Sequence, residues 1–320
     1  MQEVLNRIVR NVSLLSCIGM FFVLIAGVAV TKMDAGRGCG TDWPLCNGKF
    51  IPAYTVESFL EYNHRLISGI VGIIVAAAFV LVWRYMRENK EAVIYAGSSL
   101  FFTVLQAILG AMAVVQPQSD AVLALHFGFS LIAFACTYLL VKAVGRSETD
   151  AGESENFRYS SGYYALLWIS AIFCYVVVYL GAYVRHTESF AGCTGWPLCN
   201  GEWIPELTGA AGIVFIHRLS ALILFILIAW VTVWTLRARE MPAHMRRAGN
   251  IVFVTIILQI LSGALVTFAL ENADVYVFAA MLHTMIIAVM FSVQCYMIIE
   301  VWKSRRALRR VGQTAETSLG

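Results

Sequence analysis

The sequence predicts an all-α integral membrane protein, in which eight transmembrane helices form two repeat-related four-helix bundles with both termini cytoplasmic. The composition excludes an ordinary soluble domain: 59% of the residues are hydrophobic and only 13% are charged, whereas soluble proteins carry about 25% charged residues. Eight apolar runs are long enough to cross a bilayer, which takes about 20 residues. A repeated ten-residue segment divides these runs into two sets of four.

The eight apolar runs follow one another with short polar breaks between them. The first run follows Arg7 and Arg10, as the core of a signal peptide would. It is too long for such a core and lacks an evident cleavage site, so we expect it to remain as a helix. The predicted spans are 12–31, 64–84, 92–115, 121–143, 163–184, 213–236, 249–270 and 276–302.

The basic residues predict the orientation, because cytoplasmic loops of membrane proteins are enriched in Lys and Arg. With both termini inside, most of the 23 basic residues fall on the cytoplasmic side. The exceptions, expected on the outer side, are Lys32, Arg37, Lys49, Arg65, Arg185 and Arg218. The net charge of +3 therefore reflects membrane topology and does not indicate nucleic-acid binding.

An internal repeat organises the chain. Residues 43–52 spell WPLCNGKFIP and residues 196–205 spell WPLCNGEWIP. A repeat of four helices gives both halves the same orientation, as in parallel-repeat membrane proteins. The predicted organisation is an N-terminal half at 1–143, a cytoplasmic linker at 144–161, a C-terminal half at 162–304 and a basic, polar cytoplasmic tail at 305–320.

Four histidines fall inside the predicted spans at positions that the repeat relates: His64 with His217, and His126 with His283. Ionisable residues within membranes are costly and usually functional. Two histidines per bundle favour the axial ligation of one haem iron in each half. Zinc is the competing metal, but it prefers a compact tetrahedral set, often with thiolates. We expect His64 and His217 just inside the outer helix ends, and the other two roughly two turns in.

Residues near the histidines fit a haem. Gly110, Gly263 and Gly128 leave room for a flat macrocycle against a helix. Arg65 and Arg218 each follow a histidine directly and have two possible roles, contact with haem propionates or extension into the lipid interface.

Two further histidines, His186 and His244, lie outside this pattern. We expect both to be solvated in loops. The loop carboxylates Asp34 and Glu188 occupy equivalent positions in the two halves, so we expect them to be solvated or structural.

The eight cysteines fall into two groups. Cys17, Cys136, Cys174 and Cys295 lie in apolar spans and are expected to act as small hydrophobic residues. The remaining four lie in the two outer loops, where an oxidising compartment favours disulfides. The predicted pairs are Cys39–Cys46 and Cys193–Cys199. For the first pair, a structural and a redox-active role both remain open.

One asymmetry between the halves suggests chemistry. Glu61 lies three residues before His64 and therefore shares a helical face with it. The position that corresponds to Glu61 in the second half is Val214. A carboxylate beside one haem could accept a proton or stabilise developing positive charge. Its alternative role is an interfacial carboxylate. The asymmetry favours the first half as the reaction site.

Several motifs together resemble the haem A synthase family, of the bacterial type with two extracytoplasmic cysteine pairs. They are VTKMDAGRGCGTDWPLCNG, EYNHR, ALHFG, GAYVRHTES, IHRLS and MLHT, and the resemblance covers nearly the whole chain outside the linker and termini. The resemblance implies an enzyme that oxidises the methyl group at ring position 8 of haem O to a formyl group, giving haem A for cytochrome oxidase.

The resemblance also implies roles for individual residues. Haem O would be bound between His64 and His126, with Glu61 as the essential acidic residue and Cys39 with Cys46 as the first cysteine pair. Haem b would be bound in the second half, between His217 and His283. The expected partners are haem O synthase (protohaem farnesyltransferase), the cytochrome oxidase assembly machinery, an unidentified electron-transfer partner and the lipid bilayer of the bacterial cell membrane.

Three other functions compete with a synthase. A non-catalytic b-type cytochrome would explain two bis-histidine sites, but it leaves the Glu61/Val214 asymmetry unexplained. A thiol-oxidising membrane enzyme would explain the cysteine pairs, but it leaves four buried histidines without a role. A transporter would be expected to have broken helices and a midplane site, which the sequence lacks.

Overall fold

The computed structural model describes residues 2–51, 55–115, 119–145 and 157–317. Its long helices are α1 (Gln2–Lys32), α2 (Val56–Tyr85), α3 (Lys90–Val115), α4 (Asp120–Gly145), α5 (Ser161–His186), α6 (Gly209–Arg237), α7 (Ala243–Phe268) and α8 (Ala273–Thr317). All eight are long and apolar enough to cross a membrane, which confirms the predicted fold class. Parts of the predicted linker (146–156), of the break near 116–120 (116–118), of the first repeated segment (52) and of the tail (318–320) lie outside the described residues.

The helices begin earlier than the apolar runs predict. Helix α2 starts at Val56 and is capped by Thr55, whose side chain accepts a 3.2 Å hydrogen bond from the backbone amide of Ser58. Polar first turns escape a search for apolar runs, although a capped helix readily includes them. The expectation that His64 and His217 lie just inside the helix ends is therefore wrong. Both lie about two turns in.

The last helix also continues past its predicted end, so the predicted tail at 305–320 is helical as far as Thr317. The Nζ atom of Lys303 lies 2.5 Å from a Glu300 carboxylate oxygen, and the guanidinium of Arg305 lies 5.1 Å from the ring centre of Tyr164. Charged side chains of this kind support a helix beyond the apolar segment. Hydrophobicity alone therefore underestimates its length.

The helices form two rings with the same order of neighbours. In the first ring, α1 and α3 each contact α2 and α4; in the second, α5 and α7 each contact α6 and α8. The rings meet where α1 and α4 face α8, and where α4 also contacts α5. The last helix therefore packs against both rings.

The buried core runs along this junction. Leu131 of α4, Leu167 of α5 and Met290 of α8 are all fully buried. By contrast, Ile73 and Phe101 are 72% and 62% exposed on the outside of the bundle. A large exposed apolar surface of this kind is suited to a lipid environment.

Candidate functional site

Both cysteine-containing loops, described at 33–51 and 187–208, lie at one end of the bundle, which we call the cysteine-loop end. The Cα atoms of Cys39 and Cys46 are 4.2 Å apart, and those of Cys193 and Cys199 are 4.7 Å apart. Both pairs are disulfide-bonded, as the sequence predicts. The membrane-embedded cysteines are not paired with one another.

Each cysteine-containing loop is fixed onto the start of the following helix. A Cβ at Gly38 would collide with the backbone of Glu57 and Ser58, so only glycine allows this approach. Asn47 has a left-handed φ of 50° and its amide nitrogen donates a 3.1 Å hydrogen bond to the carbonyl of Gly38. Asn200 makes the corresponding bond in the second half. Both loops therefore pack over the starts of α2 and α6 and are held there by these contacts.

Glu61 joins the first loop to α2. Its side chain is buried, and one carboxylate oxygen accepts a 2.8 Å hydrogen bond from the backbone amide of Cys39. The other oxygen forms an ion pair with Arg65, which also donates a 2.7 Å hydrogen bond to the carbonyl of Leu45. The carboxylate is thus held one helical turn from His64 by the loop that contains the disulfide.

The second half has no such carboxylate. Val214, at the position of Glu61, is buried beside the second cysteine pair. Arg218 donates hydrogen bonds to the carbonyl of Leu198 (3.1 Å) and the hydroxyl of Thr267 (3.2 Å). Within the described chain, the hydrogen bonds of Arg218 go to neutral groups, whereas the charge of Arg65 is balanced by Glu61.

The four histidines are partly buried and form two pairs. His64 and His126 are close enough for a direct electrostatic interaction, and so are His217 and His283. All four lie about two or three turns from the helix ends nearest the cysteine-containing loops. In the described ranges, no three His, Cys, Asp or Glu side chains come together as a metal-ion site. Two imidazoles per ring suit the axial positions of a haem iron better than a zinc site.

A glycine of a neighbouring helix faces each imidazole. The distances from a Cβ built on the glycine to Cε1 of the ring are 3.2 Å for Gly27 and His64, 3.4 Å for Gly110 and His126, 3.1 Å for Gly181 and His217, and 3.3 Å for Gly263 and His283. These separations are tighter than ordinary van der Waals contact. The glycines therefore allow the helices to pack closely against the imidazole rings.

This contact changes the expected role of the glycines. Gly110 and Gly263 were expected to leave room for a macrocycle, but they face the imidazoles instead. A Cβ on Gly128 would collide with the hydroxyl groups of Tyr175 and Tyr179 in α5. Gly128 therefore allows α4 and α5 to pack closely where the two rings meet.

The sequence analysis missed Gly27 and Gly181, which precede the loop carboxylates Asp34 and Glu188 by seven residues in each half. This spacing, which is the same in both halves, is the feature of the sequence that could have identified the two glycines.

The ring nitrogens distinguish His283 from the other three histidines. The Nδ1 atoms of His64, His126 and His217 are buried and make no hydrogen bond to the described residues. Nδ1 of His283 lies 2.9 Å from the hydroxyl of Ser262, and its Nε2 lies 2.9 Å from the amide nitrogen of Gln259. An iron bound at Nε2 therefore requires the Gln259 carboxamide to turn from the ring.

The other residues considered in the sequence lie outside the two histidine pairs. His244 was expected to be solvated, but it lies in the first turn of α7 with its Nε2 3.7 Å from a Glu300 oxygen. It lines a cavity of about 520 Å³ at the end of the bundle opposite the cysteine-loop end, which contains none of the four paired histidines. His186 is the last residue of α5 rather than a loop residue. Asp34 accepts a 2.7 Å hydrogen bond from Arg185 across the two rings.

Lys32 was expected on the outer side of the membrane, but its contacts with the second ring were not predictable from the sequence. It is the last residue of α1, and its Nζ donates a 3.2 Å hydrogen bond to the hydroxyl of Tyr276 in α8. Tyr276 precedes His283 by two helical turns, and Lys32 interacts electrostatically with that histidine. The first ring therefore contributes a positive charge near the histidine pair of the second.

These features define a multi-pass helical membrane protein with one partly buried histidine pair in each of two four-helix rings. The chain belongs to the COX15-CtaA family of cytochrome oxidase assembly proteins, whose model matches residues 10–295.

Several curated relatives of the chain share one name, heme A synthase. The protein from Halalkalibacterium halodurans is 35% identical over 295 residues, covering 92% of this chain and 97% of its own length. That from Symbiobacterium thermophilum is 37% identical over 294 residues, covering 91% and 94%. That from Bacillus licheniformis is 36% identical over 311 residues, covering 96% and 100%.

Proposed function

We propose that this protein is a haem A synthase, an oxidoreductase that converts the methyl group at ring position 8 of haem O into a formyl group through hydroxylated intermediates. The observation that carries the proposal is the partly buried histidine pair in each ring of a chain whose full-length relatives have this name. A non-catalytic b-type cytochrome would share the histidines, but it does not match those relatives.

The two rings have different tasks in this proposal. His64 and His126 bind the substrate haem O, and His217 and His283 bind a resident haem b. When bound, haem b supplies a site for one-electron transfer. The fit rests on the partial burial of all four imidazoles, on their pairing within each ring and on the glycine that faces each of them.

Glu61 is the acidic residue of the reaction site. Its carboxylate is one turn from His64 and is held by the amide of Cys39 and by Arg65. Each carboxylate oxygen retains a further lone pair, which can accept a proton or stabilise positive charge near the substrate. Because Cys39 holds Glu61 through its backbone, the Cys39–Cys46 bond positions the carboxylate.

Positive charge near the second histidine pair favours a resident haem there. The hydrogen bonds of Arg218 go to neutral groups, and Lys32 reaches over from α1 to Tyr276. Both can pair with haem propionates, which are anionic. Arg65 is less available for this task because it is paired with Glu61.

The biological setting follows from the same proposal. Haem O synthase (protohaem farnesyltransferase) supplies the substrate, the product goes to cytochrome oxidase assembly, and an electron-transfer partner exchanges electrons with the enzyme. The protein spans the bacterial cell membrane, with both termini in the cytoplasm and the cysteine-containing loops on the extracytoplasmic side. The excess of basic residues at the opposite end of the bundle supports this orientation.

The test is co-expression of the protein with haem O synthase, followed by chromatography of the haems extracted from the purified protein. We expect haem b together with haem O or haem A, and accumulation of haem A in the membranes. Two equivalents of haem b and no haem A would instead identify an electron-transfer cytochrome.

A glycine substitution tests the packing against the imidazoles. Gly181→Ala places a methyl group 3.1 Å from Cε1 of His217, so the ring must shift from its position. We expect haem b to fall to less than about half of the wild-type content per protein, since overpacking typically costs about 1–3 kcal/mol. Pyridine haemochrome spectra measure this content.

Gly69→Ala is the matched control for Gly181→Ala, because a Cβ at Gly69, also in a helix, meets no atom within 4 Å. Equal haem b contents in the two variants would show that the glycine contact has no part in haem binding.

A further inference from the structure

The hydrogen bonds around His283 can accommodate its proton on Nδ1, the tautomer that leaves Nε2 free for a metal. The hydroxyl of Ser262 donates a 3.0 Å hydrogen bond to the backbone carbonyl of Gln259, which can only accept. Because the only hydroxyl proton of Ser262 is engaged in that bond, the Ser262 oxygen acts as the acceptor in its 2.9 Å contact with Nδ1 of His283. Nδ1 therefore carries the proton and Nε2 has the free lone pair. The 2.9 Å contact from the Gln259 amide to Nε2 agrees, because an amide N–H donates to such a lone pair.

The first ring lacks this arrangement. Leu109 occupies the position that corresponds to Ser262, so no hydroxyl bonds to Nδ1 of His126. The backbone carbonyls of Gln106 and Gln259 interact with the His126 and His283 rings alike, so the hydroxyl is what distinguishes the second ring. Ser130, one turn after His126, has its hydroxyl within 2.8 Å of the carboxamide oxygen of Gln106 and 2.7 Å of the backbone carbonyl of His126, so its single proton goes to one of these oxygens and not to the ring. The two rings therefore differ in what supports the second histidine of each pair.

We propose that Ser262 is a positioning residue for His283: it holds the imidazole with Nε2 directed to the iron, and its absence from the first ring leaves that haem exchangeable. This inference rests on the proposed function, in which the first haem is a substrate and the second is resident. A metal-binding histidine usually donates its other ring N–H to an acceptor, which fixes the tautomer and raises the basicity of the ligand. A substrate haem must leave after each turnover, so a weaker ligand suits the first ring.

The test measures haem release from detergent-purified holoprotein that was co-expressed with haem O synthase. Excess apomyoglobin captures released haem, and chromatography separates haem b from haem O and haem A. We expect Ser262→Ala to release haem b about 10–100-fold faster than wild type, the usual effect of losing such a partner. The same variant should raise the midpoint potential of haem b, because a less basic imidazole stabilises the ferric state less. Ser262→Thr, which keeps the hydroxyl, should restore slow release.

Two further variants make the test specific. Ser99→Ala is the matched control, since Ser99 is buried in α3 and donates a hydrogen bond to the carbonyl three residues earlier, but it is bonded to no histidine. We expect wild-type release of haem b from it. Leu109→Ser introduces the missing hydroxyl in the first ring and should slow the release of haem O or haem A. The release of haem O or haem A from Leu109→Ser still tests the role of the hydroxyl if the Ser262→Ala protein does not accumulate in cells.

The outcomes separate this inference from the function on which it rests. Wild-type release and potential in Ser262→Ala, or unchanged release of the first haem in Leu109→Ser, would overturn the role of Ser262. His283→Ala, measured in parallel, should contain no haem b. If it retained haem b, the assignment of haem b to the second ring would fail, whatever Ser262 does.

Discussion

Replacing Glu61 by glutamine is expected to lower the conversion of haem O to haem A by at least about 100-fold, within the usual range for the loss of a general acid or base. Glutamine has the same shape, and its carbonyl oxygen can still accept the hydrogen bond from the amide of Cys39. The loop therefore stays on α2, while the negative charge that pairs with Arg65 is removed. The measurement is haem A formed in membranes supplied with haem O, together with the haem b content of the purified protein.

Two controls test whether the effect of Glu61→Gln is specific: the haem b content and a second variant, Glu57→Gln. Haem b should remain at the wild-type level, because Glu61 lies in the other ring. Glu57→Gln removes an exposed carboxylate from the first turn of the same helix and should leave conversion unchanged. Glu61→Ala also removes the bond to Cys39 and should be at least as severe. Retained conversion in Glu61→Gln would exclude Glu61 from the chemistry and leave it as the tether of the cysteine-containing loop.

Removing one imidazole from each pair should remove one haem and leave the other. His283→Ala is expected to eliminate haem b while haem O stays bound in the first ring, and His126→Ala should do the reverse. Each site loses an axial ligand that buried neighbours cannot replace, because no third metal-binding side chain lies nearby in the described chain. Extraction and chromatography of the haems from the purified variants measure both contents at once.

His186→Ala is the control for both histidine variants, since His186 ends α5 outside either pair. It should retain both haems. If His126→Ala and His283→Ala lost the same haem, the pairing of histidines within each ring would be wrong.

The sequence contained enough information to predict the fold class. Apolar runs identify spans because a bilayer excludes unpaired backbone polar groups. Their ends were less predictable: the capped first turn of α2 is polar, and the end of α8 is supported by Lys303 and Arg305 rather than by hydrophobicity. These interactions join residues that are distant in the chain or depend on geometry, so hydropathy does not contain them.

The candidate site was predictable where a comparison of the two halves reveals a residue, and less so where the site depends on contacts between separate parts of the chain. The histidines, the cysteine pairs and Glu61 stand out by comparison of one half with the other. The bonds from Glu61 to Cys39, from Lys32 to Tyr276 and from Ser262 to His283 do not, because each joins separate helices or a loop and a helix. Gly110 was selected for the right reason, its missing side chain, but the neighbour it accommodates is an imidazole.

The packing of α8 against α1, α4, α5 and α7 has a consequence for biogenesis. The first ring has all its own helices as soon as α4 has left the ribosome, but one of its sides stays uncovered until the final segment is translated. That same segment supplies His283, so the second imidazole pair and the closure of the whole bundle are completed by one insertion event. A truncated chain that lacks α8 would therefore lose its second histidine pair and also present the exposed junction of its first ring to the quality-control proteases of the membrane.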